Sequence, residues 1–126
     1  MSDKKTIAVL GASHLRNKFG NKCVRAYAAA GYEVYPINPG GKPVEGLKTY
    51  RRLSEVPDNL DRISVYLPPI VSFEYLGDIA EKNAKEVWFN PGAADDKVFA
   101  AAKQKGINAI DGCSIVDIGM SPSQFP

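Results

Sequence analysis

At 126 residues, 44% hydrophobic and 24% charged, the chain has the size and composition of one globular domain able to form its own core. A formal net charge of +2 is too small to mark a nucleic-acid binder, and no apolar run reaches membrane-spanning length. The two cysteines, Cys23 and Cys113, stand far apart without metal-type neighbours and read as free thiols of a cytosolic protein.

The opening MSDKK leads directly into TIAVLG (6–11), not into the longer apolar core of a signal peptide. TIAVLG is short, apolar and ended by glycine, and it reads as a fully buried strand. The segment after it is basic. From Lys4 to Tyr32 there is no Asp or Glu, while Lys4, Lys5, Arg16, Lys18, Lys22 and Arg25 all fall there. A helix is predicted from about Asn21 to Ala30, with Val24 and Ala28 on its inner stripe and Gly31 just past its end. EVYPIN (33–38) is the second strand, punctuated by PGGK, and Pro36 argues against a fully laddered central position. Residues 44–57 carry a turn or short strand around Gly46 and a short helical piece at Leu53–Val56.

RISVYL (62–67) is the third strand, stopped by Pro68 and Pro69. A helix follows from Pro69 to Asn83, with Ile70, Phe73, Leu76 and Ala80 spaced to share its inner face. EVWFN (86–90) is the fourth strand. Asp95 is a candidate N-cap for an alanine-rich helix ending at Gly106, and INAID (107–111) is the fifth strand. The tail from Gly112 to Pro126 is expected to begin with a short helix and then fray.

Five short strands alternating with helices predict a single α/β domain over residues 1–126. The expected fold is a Rossmann-like, five-stranded parallel sheet in the order 3-2-1-4-5 with helices on both faces. Ligands of such sheets bind beyond the carboxyl ends of the strands, at the topological switch point. The loops 11–20, 38–43, 67–70, 90–94 and 111–114 meet on that edge, and they are rich in Gly, Pro, Asn and Ser.

Gly11 opens the first βα turn, where an anion is favoured at the following helix N-terminus. The turn reads Gly11-Ala12-Ser13, not G-x-G. Glu33 opens the second strand and so lies at the wrong edge to hold a ribose diol. The strand ends instead at Asn38, which argues against NAD. Lys42 nearby suits an extra phosphate on the adenosine side. The long loop from Gly11 to Gly20 can wrap a pyrophosphate and present Arg16 and Lys18 to it.

Taken together, "IAVLGAS…NKFGNKCVRAYAAAGYEVYPINPGGKPVEGLKTYRRLSEVPDNLDRISVYLPP" resembles the coenzyme A-binding domain at the N-terminus of the succinyl-CoA synthetase α-subunit. It is more similar still to the small stand-alone CoA-binding proteins that consist of that domain only. The resemblance spans roughly residues 5–118. It implies CoA contacts from the loop Ser13 to Lys18, which includes Arg16 and Asn17 and follows Gly11 and Ala12. It implies further contacts from Asn38, Pro39 and Lys42, and from Leu67, Pro68 and Pro69. It also implies a cysteine just after strand five, matched by Cys113. Two departures stand out: Gly112 replaces a basic residue common before that cysteine, and WFNPGAA replaces a glutamine-and-glycine loop.

The second domain and phosphorylated histidine of the synthetase do not fit in this length. His14, the single histidine, has no evident orienting partner for nucleophilic chemistry. Asp95 and Asp96 are explained by helix capping, and Tyr32, Tyr35, Trp88 and Phe89 by the core. No H-x-x-H or C-x-x-C occurs. The expectation is a cytoplasmic module that binds CoA or an acyl-CoA without catalysis or metal, with no nucleic-acid or membrane partner. Two alternatives stay open: an NADP(H)-binding reductase or redox sensor, and a subunit completing an acyl-CoA synthetase in trans.

Overall fold

The computed structural model describes residues 4–126; residues 1–3 of the opening MSDKK lie outside the described residues. In chain order the elements are β1 (Thr6–Leu10), α1 (Phe19–Ala29), β2 (Glu33–Ile37), β3 (Arg62–Val65), α2 (Pro69–Lys82), β4 (Glu86–Phe89), α3 (Asp96–Gln104), β5 (Ala109–Asp111) and α4 (Ser114–Asp117). Single 3-10 turns occur at Leu53–Glu55 and Pro122–Gln124.

All paired strands run parallel, in the order β2-β1-β3-β4-β5. The parallel α/β sheet is as expected, but the order 3-2-1-4-5 is corrected: β3 lies beside β1, on the side away from β2. The place beyond β2 is taken by a single parallel bridge between Ile37 and Tyr50. Tyr50 N–H donates to Pro36 O at 2.9 Å, and Asn38 N–H donates to Tyr50 O at 2.9 Å. Residues 44–57 therefore supply a rudimentary outer strand, too short to count as one. The chain then crosses over β1 to β3. Pro36 is tolerated because alternate residues of β2 face outward, where its missing N–H breaks no bond to β1.

The two sides of the sheet are packed by different elements. Ile7 and Val9 of β1 pack with Cys23, Val24 and Tyr27 of α1 and Ile115 of α4. Ala8 and Leu10 face the other way, onto Leu53, Val56 and Leu60 of the crossover and Leu76 and Ile79 of α2. Val98 and Ala102 of α3 complete that second cluster. The β1-α1-β2 unit thus runs in one direction on one face. The later crossovers run in the opposite direction on the other face, so all keep the right-handed sense. The direction reverses at β1, which places the switch point between β1 and β3.

Three smaller expectations change. On α1 the buried stripe is Gly20, Cys23, Val24 and Tyr27, while Ala28 is exposed. On α2 the inward residues are Ser72, Leu76 and Ile79, and Ile70 stays 77% exposed. Ile70 lies in the first turn of α2 and borders an open groove with Phe73 and the start of α3. The tail does not fray. The Arg25 guanidinium donates to Phe125 O at 2.9 Å and to Pro126 O at 3.1 Å, with the Phe125 ring beneath it.

Candidate functional site

At the switch point a cavity of about 410 Å³ opens over the carboxyl ends of β1, β3 and β4. Its floor is the Gly11-Ala12-Ser13 turn, closed by Lys18, Phe19 and Gly20 at the start of α1. Asn38 borders it on the β2 side, and Tyr66 and Leu67 on the β3 side. The far wall is the loop from Asn90 to Ala93.

Glycine is required where the backbone layers touch. Gly11 has φ +94°, and a Cβ there would lie 2.3 Å from Tyr66 O. A Cβ on Gly20 would lie 2.3 Å from Gly11 O. The first turn of α1 can therefore rest directly on the β1 turn. Side chains then tie back the loop's carbonyls. Asn38 Nδ2 donates to Ala12 O at 2.7 Å, Asn21 Nδ2 to Ser13 O at 2.9 Å, and Arg25 to Arg16 O at 2.8 Å. Asn21 is fully buried, and its Oδ1 accepts from Arg25 Nε at 2.7 Å.

The electrostatics follow from α1. Lys18 is its N-cap residue in extended geometry, no side chain caps the helix, and its first turn carries no acid. Its N-terminal amides and dipole are thus uncompensated by any side-chain anion of that turn and face the cavity. The acid-free reading of this region needs one amendment. Glu45, from a tight turn in which it takes φ +50°, approaches Arg16 at 3.5 Å and accepts from Asn21 Nδ2 at 3.1 Å. Arg16 and Glu45 are distant in sequence, so no local charge pattern revealed the pair.

Of the residues singled out in the sequence, Gly11, Ala12, Ser13, Lys18, Asn38 and Leu67 line this cavity. Arg16 and Asn17 stand exposed on its loop. Pro39 lies just outside, accepting from the Arg51 guanidinium at 2.7 Å, and Lys42 is exposed beyond it. Pro68 and Pro69 start α2 and do not line the cavity. Cys113 borders an adjoining cavity described below. Phe19 and Asn90 fall in the loops 11–20 and 90–94 expected on this edge, whereas Tyr66, at the end of the third strand, is an unexpected lining residue.

Asn90 was legible as a loop residue but not as the anchor it is. Its Nδ2 donates to Ser64 Oγ at 2.8 Å and to Val65 O at 2.9 Å, and its Oδ1 accepts from Ser114 N–H at 2.9 Å. Ser64 and Ser114 hydroxyls meet at 2.7 Å, so the ends of β3 and β4 are locked to the start of α4. Cys23 lies against both hydroxyls, fully enclosed, and burial pushes its thiol up. Burial likewise pushes the Tyr66 phenol up, so it enters the wall as a neutral group. Among the described residues no cluster of His, Cys, Asp and Glu is arranged to hold a metal ion, and no helix is long and apolar enough to cross a membrane.

Comparison with known proteins places this geometry. A family model described as a CoA binding domain matches residues 5–119. A solved structure of a conserved hypothetical protein from Pyrococcus furiosus superposes with a TM-score of 0.82 at 32% identity, covering 90% of this chain and 98% of that one. The Bacillus subtilis protein YneT is 29% identical over 110 residues, 84% of this chain and 78% of its own length. An ADP-forming acetate–CoA ligase from Methanocaldococcus jannaschii is 29% identical over 85 residues, which are 68% of this chain but 12% of the ligase.

Proposed function

The chain belongs to the CoA-binding domain family, and from that premise we propose that it binds coenzyme A with the diphosphate over the N-terminus of α1. The observation that carries this is the uncapped, acid-free first turn of α1, with Lys18 at its head, facing the cavity at the switch point. Such an end offers oriented amides and a partial positive charge to a phosphate. Lys18 adds a full charge at the cavity, and Arg16, exposed on the same loop, would add a second on leaving Glu45.

The remaining parts of CoA follow from the direction of the sheet. The adenosine end lies toward Asn38, Pro39 and Lys42, where a basic residue in place of an acid suits its ribose phosphate. The pantetheine arm runs the other way, past Leu67 and the Asn90–Ala93 loop. In this reading Gly11, Ala12 and Ser13 supply close backbone approach, and Pro68 and Pro69 shape the edge without touching the phosphates. The chain binds and presents CoA and contributes no reacting group of its own.

Titration calorimetry with CoA tests the reading. Saturable one-to-one binding is expected, weakened about tenfold or more by Lys18→Ala if the charge-assisted contact is direct. No binding at millimolar CoA would overturn it.

A further inference from the structure

Beside the main cavity lies a second one of about 270 Å³, lined by Phe19, Tyr66, Pro91, Cys113, Val116 and Pro122, with Asn90 at its base. The two share Phe19, Tyr66, Asn90 and Pro91 as a common wall. Its lining is almost wholly apolar. Two of its side chains are exposed to solvent, Phe19 at 58% and Val116 at 59%. Apolar groups gathered around a concavity and left uncovered mark a surface that something apolar covers. The walls are also held firmly. The Asn90–Ser64–Ser114 network fixes the start of α4, and Arg25 pins the tail that carries Pro122.

We infer that this second cavity takes a short apolar acyl group, so that the preferred ligand is an acyl-CoA thioester and not free CoA. The inference rests on the CoA reading above. A ligand with its diphosphate at α1 and its adenosine toward β2 has one direction left for its other end, across β3 and β4 toward β5. That path runs past Phe19, Tyr66, Asn90 and Pro91, which line both cavities, to the second one. Most of its lining is carbon, with only Tyr66, Asn90 and Cys113 bearing polar groups, which suits an acyl chain better than a phosphate or a free thiol. At about 270 Å³ the space is just below that of pockets enclosing drug-sized molecules, which fits the thioester and a few carbons and excludes a long fatty chain.

The experiment compares CoA with butyryl-CoA by calorimetry, on the native chain and on Val116→Glu. Each buried methylene strengthens binding about fourfold, so butyryl-CoA is expected to bind about tenfold or more tighter than CoA. Val116 is exposed, so the charge is tolerated by the fold. It should bring the ratio of the two affinities close to one, while Val116→Leu keeps the preference. Equal affinities in the native chain, or a ratio unmoved by Val116→Glu, would overturn the acyl site and leave CoA binding standing. Failure of both ligands to bind would overturn the CoA reading and this inference with it.

Discussion

The carbonyl oxygen of Gly11 lies 2.3 Å from the point where a Cβ on Gly20 would stand, so the first turn of α1 seats directly on the end of β1. Only hydrogen at position 20 permits that contact. Gly11 itself is packed against β3, since a Cβ there would lie 2.3 Å from Tyr66 O. Gly20→Ala must push the helix start away from the sheet. It is expected to destabilise the protein by on the order of 1–3 kcal/mol, as overpacking does, and to lower the melting temperature by several degrees. Unchanged melting would show that the contact is slack.

Arg16 is held by Glu45 across a 3.5 Å gap. The pair is exposed, so it contributes little to stability, within about 0.5 kcal/mol. If CoA binds as proposed, with a phosphate at the Arg16 guanidinium, the Glu45 carboxylate competes with that phosphate and affects binding more than stability. Glu45→Gln is expected to tighten CoA a few-fold and Arg16→Ala to weaken it, both effects shrinking in high salt. Weaker binding in Glu45→Gln would mean that Glu45 positions Arg16 instead of competing for it.

Cys113 and Cys23 should differ in reactivity. Cys113 is half-buried beside the adjoining cavity, whereas Cys23 is fully enclosed and its thiol is pushed up by burial. Incubation with CoA disulfide should let the Cys113 thiolate attack one sulfur, forming a protein–CoA disulfide and releasing one CoA thiolate. Intact-mass spectrometry should show one adduct, retained in Cys23→Ser and lost in Cys113→Ser. An adduct on Cys23 would contradict the geometry.

Stability at low pH should depend on Asp61, far from the site. Its carboxylate accepts from Thr6 N–H at 2.8 Å and pairs with Lys85 at 3.0 Å. The Thr6 bond first, then Lys85, hold its carboxyl below the ordinary aspartate range. A depressed folded-state value means the stabilisation is fully present above the unfolded value, about 3.9. It is lost as pH falls through the lower folded value. Asp61→Ala should therefore be less stable than the native chain at neutral pH, by on the order of 1 kcal/mol. The two melting curves should converge as pH falls below the ordinary aspartate range and through the depressed folded-state value. A constant difference at all pH values would contradict this.

Much of this was legible in the chain because it is encoded locally. Gly11, the basic loop, Asn38 and the Asp95 cap each follow from a short pattern, and Asp95 does accept from Val98 N–H at 3.0 Å. The strand order was not legible, since residues 44–57 leave only a one-residue bridge at Tyr50 and no periodicity separates that from a strand. The Glu45–Arg16 pair and the Asn90 anchor escaped for a related reason. Both join segments brought together only by the crossovers. The α2 stripe was misplaced because Ile70 and Phe73 keep the helical period but face an open groove beside the start of α3, where Lys97 stands over the Phe73 ring.

The central claim is that the switch-point cavity recognises CoA and not an adenine dinucleotide such as NADP. The direct measurement is the thermal shift of the native chain with CoA and with NADP at equal concentration. At about 100 times its dissociation constant CoA should stabilise by roughly 2.7 kcal/mol, a rise of several degrees for a domain of this size, while NADP gives little or none. An equal or larger shift with NADP, or no shift with CoA, would contradict the account.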